Sequence, residues 1–254
     1  MNSGEGTEVG LFGMIAPPLP VLKQDLKVVR SFNLFNIQNA EGLDNKKFPI
    51  DIEWLPGQKS ESVVVCDSLG NLLLVNAKTK AVKSKLALDK SWLYSVDCDV
   101  DSGSLMAVGS LSAKIHIVSH MPDEEIILQQ TSTLLGHRGA VKTCKFLSRD
   151  YLISGSSDSL IGVWNINQSH KYMSMLQGHM NDINALAVCS IDRNIFLSGG
   201  ADVSVKLWDI RLKGPEVCSY LGGESSITDV QFLPGVMETF AVSSDDSKVR
   251  YETS

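Results

Sequence analysis

The sequence predicts an all-β fold of small four-stranded sheets repeated in tandem, and three observations predict it. The first is a repeat: "GHRGAVKTCKF" at Gly136 returns as "GHMNDINALAV" at Gly178, 42 residues on, and "SGSSDSLIGVW" at Ser154 returns as "SGGADVSVKLW" at Ser198, 44 residues on. The second is the order of landmarks in each unit: Gly-His, an alternating apolar run, Ser-Gly, Asp, a second alternating run, then Trp. The third is the period. Short runs rich in Val, Ile and Leu alternate with polar residues and are bounded by Gly, Ser, Asp and Asn, which indicates strands and hairpins and defeats a helical reading. Four short strands per unit, each sheet burying its face only against its neighbours, describe blades of a β-propeller.

The elements follow in chain order. Residues 1–45 are expected to be an N-terminal segment, partly disordered or holding a short helix or an outer strand. After Pro17, Pro18 and Pro20, the residues Leu22, Leu26 and Val29 make an apolar face of little more than one turn, while "KVVRSFNLFNI" reads as readily as a strand. No heptad pattern continues from there, so a long coiled coil is not expected. The blades occupy 46–254, in units of about 46–86, 87–134, 135–176, 177–220 and 221–254, the last incomplete. The first unit, with "IDIEWLPGQKSESVVVCDSLGNLLLV", is the most degenerate copy. In the second, Ser112 and Val118 stand in the Asp and Trp places; in the fifth, Gly223 stands for histidine and Ser243 or Ser244 with Asp246 supplies the polar landmarks.

Composition excludes several classes of function. A net charge of −6 and the lack of any basic run argue against a grip on nucleic acid. Five scattered cysteines, odd in number and without a C-x-x-C pair, fit reduced thiols better than a disulfide framework or a zinc site. Glu5 and Glu8 replace the basic start of a secretory signal, and the apolar stretch 11–22 is short and broken by prolines, so no direct membrane insertion is expected. His116, His120 and His170 show no metal-ligand spacing and no Gly-rich phosphate loop appears, so neither a metal nor another cofactor is expected. Ser, His and Asp within one unit invite a hydrolase reading. Two copies of the set, matched tryptophans and no G-x-S-x-G elbow favour a structural role, and the chain is read as a binding protein without catalytic residues.

These units resemble WD40 repeats in their "GH…WD" form. The resemblance implies a buried tetrad in each full unit: Asp202 in a tight turn accepts from His179, His179 meets Ser198, and Ser198 meets the indole of Trp208. The equivalent set in the preceding unit is His137, Ser154, Asp158 and Trp164.

From about residue 88 to 251 the chain resembles something narrower, the β subunit of heterotrimeric G proteins. "SWLYSVDCDVDSGSLMAVGSL" (91–111), "LLGHRGAVKTCKFLSRDYLISGSSDSLIGVWNI", "GHMNDINALAV…SGGADVSVKLWDIR" and "ITDVQFLPG" carry it, in the family's order. The resemblance implies a seven-bladed propeller and a loop-bearing face that binds the GDP-bound α subunit. On that face Trp92, Leu111, Asp182 and Asp245 match family contacts. Tyr94 and Asn184 stand where methionines are usual, Ala140 where an aromatic is usual, Ser226 where an aspartate is usual, and Phe48 and Ile50 replace a lysine and an aromatic.

Five units where the family has seven suggest a truncated or alternatively ended product, or a gene model lacking its last exons; a closed five-bladed ring is the alternative. The function implied is a non-catalytic signalling subunit that binds an α subunit and a γ subunit and couples to downstream effectors. It would be cytoplasmic and held at the inner face of the plasma membrane through its partners. The rival is a general WD40 scaffold, such as an adaptor in a ubiquitin ligase or an assembly factor.

Overall fold

A computed structural model describes residues 48–56, 62–121, 127–167, 172–221 and 223–253. The expected N-terminal segment 1–45 lies outside the described residues, as do His170 and Gly222. Every regular element among the described residues is a strand, and the strands form five antiparallel sheets in sequence order.

The first sheet holds β1 (Pro49–Trp54), β2 (Ser62–Asp67), β3 (Asn71–Asn76) and β4 (Val82–Ala87). The second holds β5 (Leu93–Cys98), β6 (Leu105–Ser110), β7 (Lys114–Met121) and β8 (Ile127–Leu135). The third holds β9 (Val141–Phe146), β10 (Tyr151–Ser156), β11 (Ile161–Asn165) and β12 (Tyr172–Leu176). The fourth holds β13 (Ile183–Val188), β14 (Ile195–Gly200), β15 (Ser204–Asp209) and β16 (Glu216–Leu221). The fifth holds β17 (Ile227–Phe232), β18 (Thr239–Ser244) and β19 (Lys248–Thr253). Within each sheet the strands lie in chain order, so each is a meander.

Successive sheets pack face to face, with the first strands β1, β5, β9, β13 and β17 side by side. The core is therefore a series of layers. Leu152 of β10 faces the second sheet with Phe146 and Trp164, while its neighbour Ile153 faces the fourth with Phe196 and Trp208. A strand covered on both faces must be apolar at nearly every position, and β10 and β14 are buried along almost their whole length. Outer strands have water on one side, and β4 (VKSKLA) and β16 (EVCSYL) alternate accordingly. This is the architecture of consecutive WD40 propeller blades. Cys66, Cys98, Cys144 and Cys189 are spent in these layers, and burial pushes the Cys144 thiol up to about 12, so it stays protonated and unreactive.

One backbone feature recurs in every sheet. The hairpin between the second and third strands places Gly70, Ala113, Ser159, Val203 and Ser247 at φ of +82°, +63°, +66°, +67° and +62°. In four of the five, this residue's N–H closes the turn on the carbonyl three residues back, as from Val203 to Gly200 at 3.2 Å. Such a left-handed residue makes a three-residue turn whose twist matches the strands. Only Gly70 is forced to be glycine by space, since a Cβ there would sit 2.0 Å from the Asp89 carbonyl oxygen.

Candidate partner-binding face

Two polar chains fasten the third and fourth sheets at one end. His179 precedes β13 and Asp202 sits in the turn between β14 and β15; Nδ1 lies 3.0 Å from Oδ2. Nε2 lies 2.6 Å from Ser198 Oγ, which accepts from Trp208 Nε1 at 2.7 Å. The third sheet repeats this with His137 Nδ1 to Asp158 Oδ2 at 2.9 Å, Nε2 to Ser154 Oγ at 2.7 Å and Trp164 Nε1 to Ser154 Oγ at 2.8 Å.

One proton arrangement satisfies every member. The indole N–H donates to the serine, the hydroxyl to Nε2, and Nδ1–H to the carboxylate, which leaves the imidazole neutral. The glycine of each Gly-His pair follows from the same packing: a Cβ on Gly178 would lie 2.8 Å from the Trp208 ring, and one on Gly136 3.0 Å from that of Trp164.

The electrostatics agree. Burial lowers the pKa of His179 against the pull of Asp202. Burial acts to raise Asp158, but His137 and the Arg138 N–H outweigh it and bring the carboxyl down to about 2. Asp202 is likewise lowered, burial being overcome by the Met180 N–H, Ser204 and His179. Both serine hydroxyls are fully buried, so no substrate reaches them as nucleophiles.

The second and fifth sheets solve the same problem with other residues. In the second, Asp89 occupies the histidine place and Ser112 the aspartate place, so acid and donor have exchanged positions. Asp89 accepts from Ser110 at 2.9 Å and from Ser112, and meets His116 Nε2 at 3.3 Å; Gln130 lies 3.2 Å from the other ring nitrogen. Val118 stands where the indole would be and needs no partner. In the fifth sheet Arg250 supplies the donors, binding Ser244 Oγ at 2.9 Å and both oxygens of Asp246. The sequence assigns Asp89, His116 and Arg250 no structural role: His116 is weighed there only as a metal ligand, Asp89 stands in the histidine place with the wrong letter, and Arg250 lies off the Ser-Asp-Trp landmarks.

Above these chains the first strands begin, and a register shift recurs near the head of each sheet. The residue skipped in the pairing is Ile50, Tyr94, Lys142, Asn184 or Thr228. A bulge leaves one residue outside the ladder and re-aims its side chain. Tyr94 and Asn184, both candidate contacts, are two of these five. Lys142 is a third, and it joins Asn184 to another candidate contact, Asp182: Nζ lies 2.7 Å from Asp182 and 3.0 Å from Asn184 Oδ1. Asn184 in turn donates to Ser226 Oγ at 3.1 Å and to the Ile227 carbonyl at 2.8 Å. Ser226 accepts the backbone N–H of Asp245 at 3.0 Å, whose side chain is exposed.

Trp92 and Leu111 are brought together by a 2.8 Å backbone hydrogen bond, and their side chains are 42% and 46% exposed. Phe48 meets Trp92 edge-on at 5.3 Å, and Tyr94 lies 6.2 Å from the same indole. The end of the blades that carries the tetrads thus presents an aromatic-aliphatic group on the first two sheets and a polar arc from Lys142 to Asp245. Among the described residues no cluster of three or more His, Cys, Asp or Glu side chains could hold a metal, and no helix is long and apolar enough to cross a membrane.

The chain is similar to known proteins. The WD40 family, described as "WD domain, G-beta repeat", matches residues 128–165 and 170–209. A guanine nucleotide-binding protein subunit beta of Oryza sativa subsp. japonica is 27% identical over 231 residues, 87% of this chain and 59% of that protein. The Zea mays protein of the same name is 26% identical over 239 residues, 90% of this chain and 61% of the relative. That of Arabidopsis thaliana is 26% identical over 221 residues, 84% and 57% respectively. The chain therefore spans about three fifths of the length of these curated relatives. With its tandem sheets and buried tetrads, the chain carries WD40 repeats in propeller-type blades and is homologous to the plant G-protein β subunits.

Proposed function

We propose that this chain is a non-catalytic, G-protein β-like signalling subunit whose tetrad-bearing face binds the GDP-bound α subunit. Exposed Trp92 and Leu111, locked side by side at the head of the second sheet, carry the reading. A large aromatic and a leucine that remain exposed on a rigid strand end are suited to form a binding hot spot, and acids at the rim fix register. Asp245 is free to do so from its exposed loop, whereas Asp182 is held by Lys142 and would have to exchange that partner. A γ subunit and downstream effectors are further partners on this reading. Attachment to the inner face of the plasma membrane would then come through the lipid of a partner.

The test is direct binding of purified protein to a plant α subunit loaded with GDP or a GTP analogue, by biolayer interferometry. Preference for the GDP form is expected, with Trp92→Ala and Leu111→Ala each weakening it by about 2 kcal/mol or more, roughly thirtyfold. Binding that ignores both substitutions would sink this reading and leave a general WD40 scaffold or adaptor, of the kind found in ubiquitin ligases.

A further inference from the structure

The opposite ends of the first strands enclose a cavity. It measures about 420 Å³ and is lined by residues from all five sheets, among them Trp54, Asp97, Val100, Lys145, Arg193 and Gln231. Its charges are not evenly matched. Lys145 is held by Asp97 at 2.8 Å and by Glu53 at 3.8 Å, and Asp97 also accepts the Phe146 N–H at 2.8 Å. Arg193, half-buried in the turn after β13, touches only the Leu147 carbonyl at 3.4 Å and has no carboxylate within ion-pair distance among the described residues. The rim is apolar and open: Trp54 is 61% exposed and Val100 47%. A guanidinium partly removed from water and lacking an acid is a poor arrangement on its own and a good one for receiving a carboxylate.

We propose that this mouth docks an extended peptide segment that presents a carboxylate beside a large apolar side chain. The carboxylate meets Arg193, and the apolar group covers Trp54 and Val100. A chain fits better than a free small acid, because the exposed indole extends the apolar surface beyond the cavity itself. The site lies at the far end of the blades from Trp92, so it is independent of the α-subunit reading and leaves that face free for a second partner.

Phage-displayed random heptapeptides panned over the immobilised protein test it, with the selected sequence then synthesised and titrated against tryptophan fluorescence. An enriched Asp or Glu next to Leu, Phe or Trp is expected. Affinity should drop about tenfold or more with Arg193→Gln, with Trp54→Ala, and when the peptide's own acid is replaced by its amide. Trp92→Ala should leave it unchanged. Absence of an acidic-apolar consensus overturns the proposal, as does a peptide indifferent to Arg193→Gln and to its own amide replacement, or one lost with Trp92→Ala. The amide peptide decides the matter even if a protein variant fails to fold.

Discussion

Replacing Ser198 with alanine removes the one atom that both Trp208 and His179 depend on. Ser198 Oγ accepts from the indole at 2.7 Å and meets His179 Nε2 at 2.6 Å, with serine and indole fully buried. Alanine fits the space, so the loss is of hydrogen bonds and not of packing. Two buried polar groups are left without mates, at about 1–3 kcal/mol each, giving roughly 2–6 kcal/mol in total. Against a typical stability of about 5–15 kcal/mol that is a large fraction. Urea unfolding followed by tryptophan fluorescence measures it as a lower midpoint at unchanged slope. A cycle with Trp208→Phe adds a second reading: once the serine is gone the indole N–H is already unpaired, so the two losses should not add. A cost of Ser198→Ala below about 0.5 kcal/mol, or strict additivity in the cycle, would refute the claim that this chain of bonds pins the blade.

Three further outcomes follow from the same geometry. Burial holds His179 and His116 below the ordinary histidine value of 6.5, so the unfolded chain binds more protons than the folded one just below that pH. Their contribution is complete above pH 6.5 and is lost as pH falls toward the depressed folded values, so the urea midpoint should drop between pH 7.5 and pH 5.5. A midpoint that rises on acidification over that range would contradict neutral, buried imidazoles. Val203 holds φ at +67°, a conformation that costs a β-branched residue about 1–2 kcal/mol. Val203→Gly should therefore raise the melting temperature, by an amount equivalent to about 0.5–1 kcal/mol after glycine's own entropy cost. Clear destabilisation would show that contacts of the Val203 side chain outweigh the strain. Phe48→Ala removes the ring set edge-on to Trp92 and should weaken α-subunit binding by about 0.5–1.5 kcal/mol while barely moving the midpoint. No change in binding would mean that Trp92 needs no support.

Much of the blade was legible because its rules are local. Alternation marks each strand, and the spacing of Ser198, Asp202 and Trp208 follows from one hairpin, in which serine and tryptophan lie on paired strands and the acid sits in the turn between them. The second and fifth sheets were less legible for a physical reason. A buried donor needs an acceptor of any kind within reach, and Asp89 with His116, or Arg250 with Asp246, meets that need without the expected letters. The proposed partner-binding face rests on resemblance, and the contacts that link its residues run between sheets. Lys142 reaches Asn184, and Asn184 reaches Ser226, each across 42 residues of chain.

The sequence by itself determined the strand rhythm and the tetrads of the two fullest repeats, since these depend on side-chain period and on pairing within one hairpin. Tertiary structure alone decided which residues meet between sheets: Phe48 against Trp92, Lys142 between Asp182 and Asn184, and Arg193 at the cavity mouth beside the Leu147 carbonyl. Those meetings depend on the bulges, the twist and the packing of one sheet on the next, which no single unit encodes.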